Sequence, residues 1–275
     1  MPRKIKVTLD EIMVARACKE IKDGDIVFIG HGHPLLSGYL AKKMHAPNCV
    51  LVTEGGIVDP DPYRPLQHPN DFCSTRGASM CIDLPETFTT ILLSGYIDVA
   101  FLAGVEIDKY GNINTSYLGG LHIAGSGGQN ENGGYAKRTI ISVRGGQFTE
   151  KCEYITTPGY LDGYDSRYKA GLPPGTGPAL VISAKGVFRF DKITKEMYLE
   201  SYHPGVTIEE VKEEVPWDLK VSPEVVQTPV PTEEELKIMR EWAPTVALGK
   251  HFFQSVMMNY LQSFVAETQA RRQKK

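Results

Sequence analysis

The chain has 275 residues, a formal net charge of −3, a hydrophobic share of 41% and a charged share of 23%. These are the proportions of an ordinary folded protein with a sizeable core, and they exclude a disordered or fibrous chain. They also leave no basic footprint for nucleic acid, since the only basic cluster is the terminal Arg271-Arg272-Gln273-Lys274-Lys275.

Thr8-Leu9-Asp10-Glu11 reads as a capping box, and Leu9, Met13, Ala17 and Ile21 follow on one helical face. Asp23-Gly24 ends that helix. Residues 25–30 (DIVFIG) predict a buried strand, and His31-Gly32-His33-Pro34 turns the chain at its carboxyl end. A helix over 34–44 follows, with proline tolerated in its first turn. A second apolar run, 49–53, then drives into Glu54-Gly55-Gly56. Strand, turn, helix, strand is a βαβ unit, so the two strands should lie parallel and open their loops on one edge. Gly30, His31, Gly32, His33 and Glu54 are therefore expected to face one crevice, where open α/β sheets place their chemistry, with the two histidines read first as turn residues touching solvent or backbone and second as substrate contacts.

From Gly55 to about Asp71 the chain is rich in Pro, Asp and Gly, which predicts an irregular loop serving function or a subunit contact. Asp83-Leu84-Pro85-Glu86 offers a second capping box, for a helix through Ser94 that Gly95 ends. A strand over 97–103 follows, then a tight turn at 108–112 and an extended piece over 113–116. Residues 119–134 are glycine-rich and precede a strand at 139–143. Such a run can aim consecutive backbone N–H groups at an anion or a developing oxyanion, or it can simply be a flexible loop. It matches neither a P-loop nor a dinucleotide fingerprint.

Beyond Cys152 the pattern is β-rich, with strands expected at 153–157, 179–183, 187–190 and 197–201. Residues 158–178 read as an ordered loop. Thr207 and Thr232 each cap a helix, the second running to Trp242, with an extended proline-rich stretch between them. From Thr245 a helix is expected with Phe252, Phe253, Val256, Met257, Tyr260, Leu261 and Phe264 on its apolar side. The whole reads as one α/β domain spanning 1–275.

Several chemistries are absent from the pattern. No G-x-S-x-G, HExxH or kinase signature occurs. No apolar run reaches the roughly 18 residues of a membrane span, and no apolar segment follows the basic N-terminus as in a secretory signal. The five cysteines are scattered without CxxC spacing, which predicts reduced thiols and a cytoplasmic setting. His31 and His33 lack a third ligand at metal spacing, so no metal is expected. Glu54 has two readings: a carboxylate ion-paired to a nearby Lys or Arg, favoured by the strand pattern alone, or a reactive group at a strand end.

Five segments, in order, resemble one family. They are 52–56 (VTEGG), 107–114 (IDKYGNIN), 125–128 (GSGG), 157–163 (TPGYLDG) and 171–173 (GLP). On them the chain resembles class I CoA-transferases, and among these the β subunit of the glutaconate type, over almost its full length. The resemblance implies an open, mainly parallel α/β sheet covered by helices, to which the residue pattern adds a β-rich C-terminal half, and pairing with a homologous α subunit in a heteromer. It implies a CoA thioester and a carboxylic acid as substrates, and no permanently bound cofactor. By position, Glu54 would be the nucleophile that forms a covalent glutamyl-CoA intermediate. Gly127, Gly128 and Gln129 would supply backbone donors near the reacting carbonyl, with Gly30 and His31 beside them. Two positions depart from the glutaconate pattern: Gly55 stands where a serine is found, and Gln129 where a small residue is found. Relatives of this fold also include ring-opening hydrolases, and decarboxylases with cysteine in place of the glutamate. Glu54 argues against the cysteine type and leaves two alternatives to the transferase: an acyl-CoA or ring-opening C–C hydrolase subunit, in which water resolves the same kind of intermediate, and a non-catalytic subunit.

Overall fold

The computed structural model describes residues 6–62 and 71–242. The helix expected from Thr245 and the basic tail lie outside the described residues. Helix α1 (Leu9–Cys18) opens on the expected capping box: Glu11 N–H donates to the Thr8 hydroxyl at 3.2 Å, and Thr8 N–H donates to the Glu11 carboxylate at 2.8 Å. Strand β1 (Ile26–Ile29), helix α2 (His33–Met44) and strand β2 (Val50–Thr53) follow. β1 and β2 pair in parallel, from Ile26 with Val50 to Ile29 with Thr53. Gly30 and Glu54 are thus each the first residue past the paired ends, as the βαβ reading requires.

The stretch after Glu54 is more regular than expected. Thr53 O accepts from Gly56 N–H at 3.0 Å, and this turn returns the chain along β2 as β3 (Ile57–Val58), which pairs in turn with β4 (Met80–Cys81). Gly56 has φ of +80°, and a Cβ there would lie 2.0 Å from the Ile82 carbonyl oxygen, so glycine is required. Two-residue strands are too short to leave a periodic signal among prolines. The helix expected over 83–94 also differs. Asp83 caps α3 (Leu84–Glu86), but the segment continues as a π-helix, Thr87–Leu92, which carries Phe88.

Next come β5 (Val99–Ala103), β6 (Glu106–Ile107), β7 (Ile113–Asn114), the hairpin β8 (Tyr117–Leu118) and β9 (Leu121–His122), α4 (Gln129–Tyr135) and β10 (Arg138–Val143). The glycine-rich run is therefore no plain loop, because its second half is helical. The remainder is β11 (Gln147–Phe148), α5 (Ser166–Lys169), β12 (Pro178–Ser183), β13 (Gly186–Phe190), β14 (Met197–Tyr202), α6 (Ile208–Lys212), β15 (Lys220–Gln227) and α7 (Glu233–Trp242). The strand expected at 153–157 is not formed. Only Thr157 makes a bridge, to Ile113, while the Glu153 carboxylate accepts from Gly119 N–H at 2.7 Å and Gly120 N–H at 3.2 Å.

Among the described residues the main sheet runs β15-β14-β13-β12-β10-β5-β1-β2-β3-β4. Its inner five strands, β12 to β2, are parallel, with antiparallel strands on both flanks and β15 again parallel to β14. This is the open, mainly parallel sheet that the resemblance implied, with the β-rich C-terminal half that the pattern beyond Cys152 predicts. Both faces are covered, as parallel strands demand. Ile140, Leu180 and Ile182 join Met13, Leu36 and Leu40 under α1 and α2, whereas Ile141 and Val181 pack with Phe188, Leu199 and Val211 on the other side. The alternation of side chains along each strand produces this division. No helix of the described residues is long and apolar enough to cross a membrane.

Candidate active site

The carboxyl ends of the parallel strands open into a cleft of about 340 Å³, a size suited to a small molecule or part of one. Gly30, His31, His33 and Pro34 line it from the β1–α2 junction, and Glu54 from the β2–β3 turn. Ala103 and Ser142 close the ends of β5 and β10, and Phe28, Phe101 and Leu102 make the apolar wall. Ser126, Gly127, Gly128, Gln129 and Asn132 complete the lining. All six residues singled out from the sequence (Gly30, His31, Glu54, Gly127, Gly128 and Gln129) meet in this one cleft.

Glu54 stands at the corner of the Thr53–Gly56 turn and is partly exposed. Among the described residues its carboxylate has no ion-pair partner, which disfavours the salt-bridge reading. A Cβ added at Gly30 would meet nothing within 4 Å, so glycine there leaves open space in the cleft rather than relieving a clash. Gly127 has φ of +51°, a left-handed conformation that favours glycine. Gly128 is the residue that precedes α4, and a Cβ on it would lie 2.4 Å from Phe88 Cζ. The N–H groups of Gly127 and Gly128 have no acceptor among the described residues. Gln129 differs from the expectation: its N–H already donates to Ser126 O at 3.0 Å. Its contribution to the cleft is the side chain, whose Oε1 is buried with no hydrogen-bond partner.

The sequence reading missed Asn132 and the tie between His33 and Asp10. Asn132 lines the cleft one helical turn after Gln129, with Nδ2 donating to Gly128 O at 2.8 Å and Oδ1 buried without a donor. An i, i+3 relation would have revealed it had the glycine-rich run been read as a helix. His33 does line the cleft as expected, but its partner was not foreseen: Nε2 lies 2.7 Å from the buried Asp10 carboxylate, which Arg144 also meets at 2.6 Å. These residues are far apart in sequence, and no local signal joins them. The N-terminus of α2 also faces the cleft, and Gly32 gives it no side-chain cap, so its positive dipole end is turned toward any anion there. Among the described residues no three His, Cys, Asp or Glu side chains group as a metal site.

Comparison with known proteins identifies the family. The coenzyme A transferase family matches residues 11–214. The β subunit of glutaconate CoA-transferase from Acidaminococcus fermentans is 35% identical over 248 residues, which is 85% of this chain and 91% of that one. The corresponding subunit of 3-oxoadipate CoA-transferase from Pseudomonas knackmussii is 32% identical, over 84% of this chain and 91% of that one. The crystal structure of glutaconate CoA-transferase from Acidaminococcus fermentans superposes with a TM-score of 0.78 at 32% identity, covering 86% of this chain and 94% of that chain. The chain therefore belongs to the coenzyme A transferase family and is a CoA-transferase subunit, similar to the β subunits of these heteromeric relatives.

Proposed function

We propose that this chain, joined to a partner subunit of the α type, transfers coenzyme A between an acyl-CoA and a carboxylic acid, with Glu54 as the covalent nucleophile. The observation that carries the reading is a carboxylate with no ion-pair partner among the described residues, standing at a parallel-strand end in a cleft beside Gly127 and Gly128. A Glu54 oxygen attacks the thioester carbonyl, and the carbonyl electron pair moves onto oxygen. Collapse of that oxyanion breaks the C–S bond, leaving an acyl-glutamyl anhydride and the CoA thiolate. The thiolate then attacks the Glu54 carbonyl carbon and releases the donor acid as its carboxylate, which leaves a glutamyl-CoA thioester. An acceptor carboxylate repeats these steps in reverse and frees Glu54. No net proton is gained or lost, so the site needs no separate acid or base.

Each tetrahedral oxyanion calls for fixed donors, a part suited to the Gly127 and Gly128 N–H groups and worth about 3 kcal/mol per donor. The N-terminus of α2 favours the negative charge that develops nearby. The test is intact mass measurement of the assembled complex after incubation with glutaconyl-CoA and no acceptor acid. A CoA adduct on this chain that maps to Glu54 and is absent in Glu54→Gln is the expected result. Transfer activity without an adduct, or a Glu54→Gln complex that still turns over, would refute the covalent role. Steady release of free CoA without an acceptor acid would identify a hydrolase instead.

A further inference from the structure

Arg167 is 4% exposed and has no carboxylate partner among the described residues. Its guanidinium donates from Nη2 to Gly133 O at 2.7 Å and Gly134 O at 2.8 Å, and from Nη1 to Pro158 O at 3.0 Å and Gly159 O at 2.8 Å. Nε and Nη2 also reach the Thr176 hydroxyl, at 3.3 and 3.0 Å. Every donor is thus spent on neutral oxygens. Gly133 and Gly134 lie in the last turn of α4, where carbonyls lack helical partners and carry the negative end of the dipole. A buried cation there stands in for a C-cap. α4 needs such help, because a seven-residue helix holding two glycines and two asparagines has poor intrinsic stability.

The opposite end of α4 begins at Gly128 in the cleft. Neither end has slack: a Cβ on Gly133 would lie 2.2 Å from Thr157 Cγ2, and one on Gly128 would lie 2.4 Å from Phe88 Cζ. The segments under the clamp are fixed in turn. Asn112 Oδ1 accepts from Gly159 N–H at 2.9 Å and Leu161 N–H at 3.0 Å. This gives work to residues 108–112 and 157–163, which stand out in the sequence but contribute nothing to the lining of the cleft.

We infer that Arg167 is a positioning residue for the Glu54 site: by clamping the carboxyl end of α4 against residues 158–159, it holds Gly127, Gly128 and Asn132 in register with Glu54. The inference rests on the function proposed above, but one of its two readouts does not. In the assembled complex, Arg167→Met removes every donor at similar length. Hydrogen exchange at 129–136 should then rise about ten-fold or more, while amides of β5 and β10 stay within about two-fold. Transfer from glutaconyl-CoA to acetate should lose about ten- to a hundred-fold in kcat, with KM within about three-fold. Arg167→Lys keeps the charge but not the fork, and should recover part of both effects. Exchange in α4 that does not change, exchange that rises equally in β5 and β10, or raised α4 exchange with unaltered kcat would each overturn the inference. If Arg167→Met does not fold, Arg167→Lys is judged by the same two measurements. Failure of the Glu54 reading itself is recognised separately, by an active Glu54→Gln complex, and leaves the exchange result to decide what Arg167 holds.

Discussion

Two groups of glutamates in this chain meet opposite fates. Glu20, after α1, and Glu200, on β14, sit in a ring of charges with Arg16 and Arg189: Arg16 reaches them at 2.6 and 2.7 Å, and Arg189 at 2.6 and 2.8 Å. Burial alone would raise the Glu20 carboxyl, but Arg189 and Arg16 outweigh it and hold it below its ordinary value, and Glu200 behaves alike. These carboxylates stay ionised to lower pH than an ordinary glutamate and tie α1 to the C-terminal strands. Glu54 lies at the open edge with no such cation among the described residues. A carboxylate fully paired with arginine is a weak nucleophile held in place, whereas an unpaired one in a cleft keeps its lone pairs for a substrate.

The sharpest way to break this contrast is to change each group in turn. Glu54→Gln should lower transfer activity about a thousand-fold or more while moving stability by less than about 0.5 kcal/mol, read from steady-state kinetics and a denaturant titration. Glu20→Gln should do the reverse, costing about 1 to 3 kcal/mol because Arg16 and Arg189 are then left to share Glu200 alone, with kcat unaltered. The same network sets an acid limb. Because the folded Glu20 and Glu200 carboxyls lie below the ordinary 4.5, their contribution is complete above that pH and is lost as pH falls through the folded values. Thermal melts between pH 6 and 3 should show a shallower fall for Glu20→Gln than for the parent chain.

A smaller effect is expected in the cleft itself. Gly128→Ala pushes a methyl group against the Phe88 ring and should cost about 1 to 3 kcal/mol and roughly ten-fold in kcat. An activity loss without any change in stability would mean that the ring yields freely. The smallest effect concerns His203, which is buried with Nε2 3.0 Å from Ser183 O and Nδ1 3.1 Å from the Thr228 hydroxyl. Burial lowers its pKa from 6.5. The unfolded chain therefore takes up a proton first, and stability falls as pH drops below about 6.5, by at most roughly 1.4 kcal/mol per pH unit. His203→Gln should flatten the melting curve in that window; an unchanged slope would count against a neutral buried imidazole.

Much of the framework was legible because it is written in short-range chemistry. The apolar runs at 25–30 and 49–53, with one helix between them, predict parallel strands and a shared edge, and the register does bring Gly30 and Glu54 side by side. The Thr8, Thr207 and Thr232 caps are equally local and form as read. The failures involve structure imposed from a distance. Residues 129–135 look like loop by composition but are helical under the Arg167 clamp and the contact of Gly133 with Thr157. Residues 153–157 look like a strand, yet Glu153 is drawn off to hold the β8–β9 hairpin.

The sequence by itself thus determined the parallel core, the family and the place of Glu54 at its edge, since periodicity, caps and motifs act over a few residues. Only the tertiary structure decided that Glu54 would have no ion-pair partner among the described residues and that His33 would be tied to Asp10. Those outcomes depend on which groups, tens of residues apart, the packed sheet brings within hydrogen-bond reach.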